Sequence, residues 1–315
     1  MAILIAGGKG FIGSQVIVQL AARGEDIVCL EPRATPGRLG DMAGKIAMET
    51  GSVANLDDVM AVFEKHSITK VAGLVFVAFR GQPERLHDEM SIMVQGAANL
   101  FEAAWRHGVK RVVFPSSIAY YGPQELHGDG NTPLVEDDPC LARSIYGVGK
   151  RLCEVLAQDY NQHADMDIVA MRIPVVYGPG GRIGSRGVNL IATEGAAYGA
   201  VTLPHPPEAR VLIGHVQDVA DAVVKLLLAE ALSHGVYNVG GHTLSYRDLA
   251  EIGQTLMPEL KVAFDDQTNP IELPYLVDHT RIATELGVTH RDPRVGYRDL
   301  ATISRRAAGL PPISP

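Results

Sequence analysis

Cysteine is scarce in this 315-residue chain, with only Cys29, Cys140 and Cys153. They are odd in number, far apart and free of any CxxC pair, which argues against a disulfide framework and against a cysteine zinc site. An excess of positive charge is also lacking. Lys and Arg number 28 against 36 Asp and Glu, for a formal net charge of −8, and no segment forms the basic stripe that nucleic acid or an anionic membrane requires. Long apolar runs are missing too. The longest, VAGLVFVAF from Val71 to Phe79, is far short of the ~20 residues that cross a bilayer. The chain passes from Met1 directly into a strand pattern, so a cytoplasmic protein is expected. The 11 histidines are scattered, with no HExxH or comparable spacing, and no metal site is expected. Neither an internal repeat nor a low-complexity segment is present.

What remains is ordinary globular material, 46% hydrophobic and 20% charged, long enough for about two domains at ~150 residues each. Short apolar strands alternate with helix-length segments, the pattern of βαβ units feeding a parallel sheet. AILIA precedes a helix over about Phe11 to Arg23. DIVCLE is followed by a loop, KIAME by a helix near Asn55 to Lys65, and GLVFVA by one long helix over about Glu84 to His107. RVVFP and DIVAMR complete six strands of a Rossmann-type doubly wound α/β sheet. After Arg172 the composition turns Gly- and Pro-rich, in YGPGGRIGSRG and LPHPPEAR, marking a smaller region. The amphipathic stretch from His215 to Glu230 then returns the chain to the first domain. A dinucleotide-binding domain is therefore expected over 1–172 plus about 213–232, and a smaller substrate-binding domain over 173–212 plus 233–315.

GGKGFIG, Gly7 to Gly13, follows the first strand and opens a helix, placing Gly7, Gly10 and Gly13 in GxxGxxG spacing ahead of Phe11 and Ile12 in the first helical turn. Glycines there allow a tight turn and close approach to a pyrophosphate, while the helix N-terminus offers free N–H groups and partial positive charge. The second strand ends at Glu31, 18 residues beyond Gly13. A carboxylate in that place accepts the ribose hydroxyls of NAD and repels the 2′-phosphate of NADP. Arg33 pulls the other way, and NAD is the expected cofactor, ahead of NADP. Further along, RSIYGVGK sets Tyr146 and Lys150 four residues apart at the start of a helix, on one face.

With FPSSIAYYG, PLVEDDP, MRIPVVYGPG, HVQDVADAV, VYNVGG and DHTRIATELG in the same order, the chain resembles the extended short-chain dehydrogenase/reductase family, the NAD-dependent epimerase/dehydratase group, over nearly its whole length. The resemblance implies Tyr146 as catalytic acid/base, Lys150 as the residue that lowers its pKa and holds the nicotinamide ribose, and Ser117 as the ligand of the reacting oxygen. It also implies cofactor contacts at Ser52 and Val53 beside adenine, Ala78 and Phe79 beside ribose and pyrophosphate, and Ile173, Pro174 and Val175 beside nicotinamide. The chemistry needs such a set. Hydride leaves a carbinol carbon only as its hydroxyl proton departs, and a free phenol of pKa ~10 needs roughly 4 kcal/mol of stabilisation to act as a base near pH 7.

Several departures from the family pattern narrow the substrate. Met93 and Val175 stand where sugar-nucleotide enzymes carry asparagine, and ARVLIGHV replaces the usual arginine–aspartate pair before His215, with Arg210 one place early and Val211 for the acid. Ile118 and Ala119 replace the acidic pair of the dehydratases, so 4,6-dehydration is not expected. The expected activity is NAD-dependent hydride transfer, by an oxidoreductase or epimerase, at a secondary hydroxyl of a sugar-like, polyol or hydroxy-acid small molecule. Arg182 and Arg186 are candidate clamps for a substrate carboxylate. The alternatives are an NADPH-dependent ketone reductase of the hydroxysteroid or flavonoid-reductase type, and a dinucleotide sensor without turnover. The helices over about Glu84 to His107 and Ser144 to Asn161 resemble the pair through which family members form a homodimer, which is the expected assembly.

Overall fold

The computed structural model describes residues 1–75, 82–181, 187–265 and 272–313. Its strands are β1 (Ala2–Ala6), β2 (Asp26–Glu31), β3 (Ala47–Thr50), β4 (Ile68–Gly73), β5 (Arg111–Ser117), β6 (Asp167–Ile173), β7 (Val175–Tyr177), β8 (Ala200–Leu203), β9 (Arg210–His215), β10 (Val236–Asn238), β11 (His242–Ser245) and β12 (Lys261–Phe264). The α-helices are α1 (Phe11–Ala22), α2 (Leu56–Lys65), α3 (Pro83–Met90), α4 (Gly96–Arg106), α5 (Ile145–His163), α6 (Glu194–Tyr198), α7 (Val216–Leu228), α8 (Tyr246–Leu256), α9 (Thr280–Leu286) and α10 (Pro293–Ala307).

Seven parallel strands form the main sheet in the order β10-β6-β5-β4-β1-β2-β3. The order reverses between β4 and β1, so the loop after β1 opens at the point where such sheets bind ligands. Alternation along β1 supplies both cores: Ile3 and Ile5 pack with Ile17 and Val223 of α1 and α7, while Leu4 and Ala6 pack with Val28, Val62 and Phe101 on the face covered by α2 and α4. Burial on both faces explains why these strands are apolar nearly throughout, and each large side chain so buried contributes roughly 1.5–3 kcal/mol. The smaller sheet runs β11-β9-β7, and β8 pairs with β12. Its core, including Tyr177, Leu203, Val211, Tyr246 and Tyr297, lies under α8 and α10.

The fold differs from the expected one in three places. VYNVGG supplies a seventh strand, β10, beside β6, although its residues fall in the segment expected to belong to the smaller region. The fourth strand is Ile68–Gly73, and of the GLVFVA run expected there only Gly73, Leu74 and Val75 fall within the described residues. Polar Thr69 and Lys70 disguise its start, but Lys70 and Val71 pair with Ile3 and Leu4 of β1, so pairing rather than apolar content sets its bounds. The long helix expected over Glu84 to His107 is divided into α3, a π-helical turn at Ser91–Gln95, and α4. Among the described residues, no helix is long and apolar enough to cross a membrane, and no group of three or more His, Cys, Asp or Glu is arranged to hold a metal ion.

Candidate active site

The turn after β1 is shaped for a close backbone approach. Gly7 has φ +84°, and a Cβ on it would stand 2.8 Å from the Leu74 carbonyl; on Gly13 a Cβ would stand 2.2 Å from the Gly7 oxygen. Only glycine fits either position. The α1 N-cap is Gly10, with no side-chain cap and no acid in the first turn, so the first N–H groups of α1, carried by Phe11, Ile12 and Gly13, meet no carboxylate from their own turn. Glu31 ends β2 beside this turn, and its Oε1 accepts the Lys9 N–H at 2.6 Å. The sequence pattern did not single out Lys9, whose backbone N–H makes this contact. The Lys9 ammonium is buried and donates to the carbonyls of Arg33 and, at 2.7 Å, Thr35. Arg33 itself is exposed and contributes its backbone oxygen.

In the turn after β3, expected beside adenine, Val53 is buried, and its carbonyl accepts Asn99 Nδ2 at 2.8 Å. The Ser52 hydroxyl accepts the Ala54 N–H within its own turn, and the Ser52 N–H donates to Asp58 Oδ2 at 2.8 Å. A carboxylate thus reaches this turn from α2, where the sequence alone offered a serine. Ala78, Phe79, Arg182 and Arg186 lie outside the described residues.

Ser117, Tyr146 and Lys150 converge at the C-terminal end of β5. Ser144 caps α5 by accepting the Gly147 N–H at 3.1 Å, and Gly147 lets the helix lie against the Ala119 carbonyl, which a Cβ would approach to 2.3 Å. This contact brings the Tyr146 phenol into a hydrogen bond with the Ser117 hydroxyl. Ser117 Oγ also accepts the Ala119 N–H at 3.1 Å, so it both faces Tyr146 and caps the 3₁₀ turn Ile118–Tyr120. Lys150 is buried, donates to the Pro115 carbonyl at 2.6 Å, and places its Nζ 5.6 Å from the centre of the Tyr146 ring. Burial pushes the Tyr146 phenol up to about 12, the Ser117 hydrogen bond opposing it, and burial brings the Lys150 ammonium down to about 8. The cofactor-free site therefore holds Tyr146 protonated, the reverse of the lowered phenol the chemistry calls for. The missing stabilisation has to come from a further positive charge near the phenol.

The chain crosses from β6 to β7 through Ile173, Pro174 and Val175, all buried. Met93 is buried in the π-helical turn, with its methyl packed where a Cβ on Gly149 would sit 2.1 Å away, so it is wedged onto α5. Arg210 begins β9 with its guanidinium 5.5 Å from the centre of the Tyr275 ring, and Val211 is buried.

A profile of the family described as NAD dependent epimerase/dehydratase matches residues 3–240. The chain belongs to the NAD-dependent epimerase/dehydratase family. It is an enzyme of the extended short-chain dehydrogenase/reductase type, and its cofactor is NAD. Among its relatives, a putative UDP-arabinose 4-epimerase 4 of Arabidopsis thaliana is 27% identical over 328 residues, spanning 92% of this chain and 72% of that protein. Among solved structures, the Thermus thermophilus UDP-glucose 4-epimerase in complex with NAD superposes with a TM-score of 0.82 at 24% identity, covering 98% of this chain and 100% of that one. An L-threonine dehydrogenase from Clostridium difficile superposes with a TM-score of 0.85 at 20% identity, each chain covered to 98%. The shared fold serves epimerase and dehydrogenase alike, so shape alone does not choose between them.

The residues present fit NAD. Gly7 and Gly13 let the turn and α1 pack backbone against backbone, the uncapped α1 N-terminus offers the N–H groups and partial positive charge that a pyrophosphate needs, and the Glu31 carboxylate lies beside the turn, where it could accept ribose hydroxyls. Bound NAD would accept or return hydride at the nicotinamide. The family pattern drew attention to Ser117, Tyr146 and Lys150 and passed over what surrounds them: Ser116, Glu154 and Arg172, joined by buried hydrogen bonds directly behind the β5 end, and Arg38, whose Nη2 donates to Gly180 O at 2.8 Å across the cleft mouth.

Proposed function

We propose that this enzyme transfers hydride between NAD and a secondary alcohol carbon of a small polyhydroxylated substrate that carries no nucleotide, with Tyr146 as the acid/base. The observation that carries the reading is the convergence of Ser117, Tyr146 and Lys150 at one strand end, reached from a glycine turn shaped for the cofactor. Tyr146 takes the hydroxyl proton as hydride leaves, Ser117 orients the reacting oxygen, and Lys150 holds the ribose and favours the ionised phenol. Gly7, Gly10, Phe11, Ile12 and Gly13 hold the pyrophosphate, and Glu31 holds the adenosine ribose. Ser52 and Val53 flank adenine, and Ile173, Pro174 and Val175 flank nicotinamide.

The nucleotide-free part of the reading rests on what the cleft offers. Relatives named as UDP-sugar epimerases act on nucleotide substrates, but here Met93 and Val175 are apolar and buried, and Arg210 is engaged with Tyr275. A diphosphate placed there loses polar partners, and unpaired polar groups are costly on binding. The outer face of α5 supports a second copy of the chain as the partner: Ile145, Val148 and Leu152 are 49%, 52% and 45% exposed at helical spacing, and Trp105 of α4 is 49% exposed.

The test is a panel of polyols, sugars and hydroxy acids beside UDP-sugars, scored for reduced nicotinamide, for epimerised product and for NAD retained by the purified protein. Reduced nicotinamide or an epimer from a nucleotide-free compound is expected. Turnover confined to UDP-sugars overturns the substrate class. No turnover of any class with NAD bound overturns catalysis in favour of dinucleotide sensing.

A further inference from the structure

Tyr146, Lys150 and Glu154 stand at i, i+4 and i+8 on one face of α5, and each engages a different residue of the tripeptide Pro115-Ser116-Ser117. Tyr146 bonds the Ser117 hydroxyl, Lys150 the Pro115 carbonyl at 2.6 Å, and Glu154 Oε1 accepts the Ser116 hydroxyl at 2.5 Å. Glu154 has no exposed side-chain surface. Its carboxylate is held from behind by Arg172 of β6, Nε to Oε1 at 3.0 Å and Nη2 to Oε2 at 2.8 Å. Arg172 is fixed in turn, with its guanidinium 3.4 Å from the centre of the Tyr120 ring and Nη1 donating to the Tyr121 hydroxyl at 2.8 Å and the Glu136 carbonyl at 2.9 Å.

A buried ion pair is a weak source of net stability, since desolvation offsets the attraction. What it supplies is a single arrangement of its partners. We propose that Glu154, locked by Arg172, is a positioning residue that grips Ser116 and so sets where β5 presents the Pro115 carbonyl to Lys150 and the Ser117 hydroxyl to Tyr146. The inference rests on the functional reading above. Ser116 lies between the two contacts that define the proton-transfer geometry, and a displacement of about 1 Å at such a centre costs on the order of 10²-fold in rate.

The decisive experiment follows the titration of the Tyr146 phenol by ultraviolet difference absorbance against Tyr146→Phe, in NAD-bound protein, so that no substrate is needed. Ser116→Ala removes the grip while Glu154 keeps both guanidinium bonds. A Glu154→Met/Arg172→Met double variant replaces the buried pair by apolar side chains, the exchange that buried pairs tolerate best. In both, NAD affinity is expected within about two-fold of the parent and the phenol midpoint about one unit higher, a tenfold loss of phenolate near neutral pH. A midpoint unmoved in whichever variant folds overturns the positioning role alone. A parent protein whose Tyr146 never titrates below the free-phenol value with NAD bound overturns the functional reading, and the inference with it.

Discussion

Tyr146 and Gly13 are the positions where single substitutions are expected to cost most. Burial pushes the Tyr146 phenol up to about 12, so the proposed acid/base role requires a positive charge beside it. Gly13 carries the cofactor side of the same argument: a Cβ there would stand 2.2 Å from the Gly7 oxygen, a backbone atom that cannot swing aside. Gly13→Ala is therefore expected to cost at least about tenfold in NAD affinity and about 1–3 kcal/mol in stability, read by NAD titration and thermal unfolding. Unchanged affinity would remove the turn from the cofactor site. Glu31 is the residue on which the proposed preference for NAD rests. With Lys9 already close by, Glu31→Gln removes the charge that repels a 2′-phosphate, and the preference for NAD over NADP should narrow by about tenfold in parallel binding titrations. The sequence made Glu31 legible because the end of the second strand is a fixed distance from the glycine turn. Lys9 stayed hidden because its side chain is held by carbonyls of residues 33 and 35, contacts made only once the loop folds back.

Among the elements, α5 was the easiest to read and the segment from α3 to α4 the hardest. Helical spacing alone put Tyr146 and Lys150 on one face, and the same spacing extends to Glu154, but its meaning depends on Arg172 and Ser116 from two other strands. The π-helical turn at Ser91–Gln95 leaves no mark in apolar periodicity, since the backbone on both sides stays helical. The N-cap of α7 gives a prediction of its own. His215 Nδ1 accepts the Gln217 N–H at 3.3 Å, and burial, reinforced by Arg291 and opposed by Asp218 and Asp299, brings the imidazole down to about 4. The unfolded chain, with a histidine near 6.5, takes up a proton that the folded chain refuses, so stability is fully present above about pH 6.5 and falls as pH drops towards 4. His215→Asn keeps a capping acceptor and removes the titration. Its unfolding free energy is expected to lose up to about 3 kcal/mol less than the parent over that window in denaturant titrations. Parallel curves for the two proteins would show that His215 does not titrate as described.

For the whole molecule, the alternation of strands and helices was enough to show a doubly wound sheet, while the strand order that puts the loop after β1 at the reversal point comes from pairing. The return of the chain through α7 followed from amphipathicity, whereas β10 was missed as part of the main sheet, since a three-residue strand carries too little pattern to declare its partner. The exposed apolar stripe on α5 belongs to this scale as well. Val148→Glu on the proposed covering face is expected to shift the protein from dimer to monomer in sedimentation, with Tyr146 geometry on the opposite face of the helix intact. A mass that is the same in both proteins would exclude this face as the interface.

In the proposed reaction Tyr146 moves the proton that accompanies hydride transfer. This role is tested most directly by comparing single-turnover reduction of bound NAD in the parent and in Tyr146→Phe, with the alcohol that the substrate panel identifies. A fall of about 10²–10⁴-fold with NAD affinity unchanged is predicted; a Tyr146→Phe protein that reduces NAD at the parent rate would contradict the account.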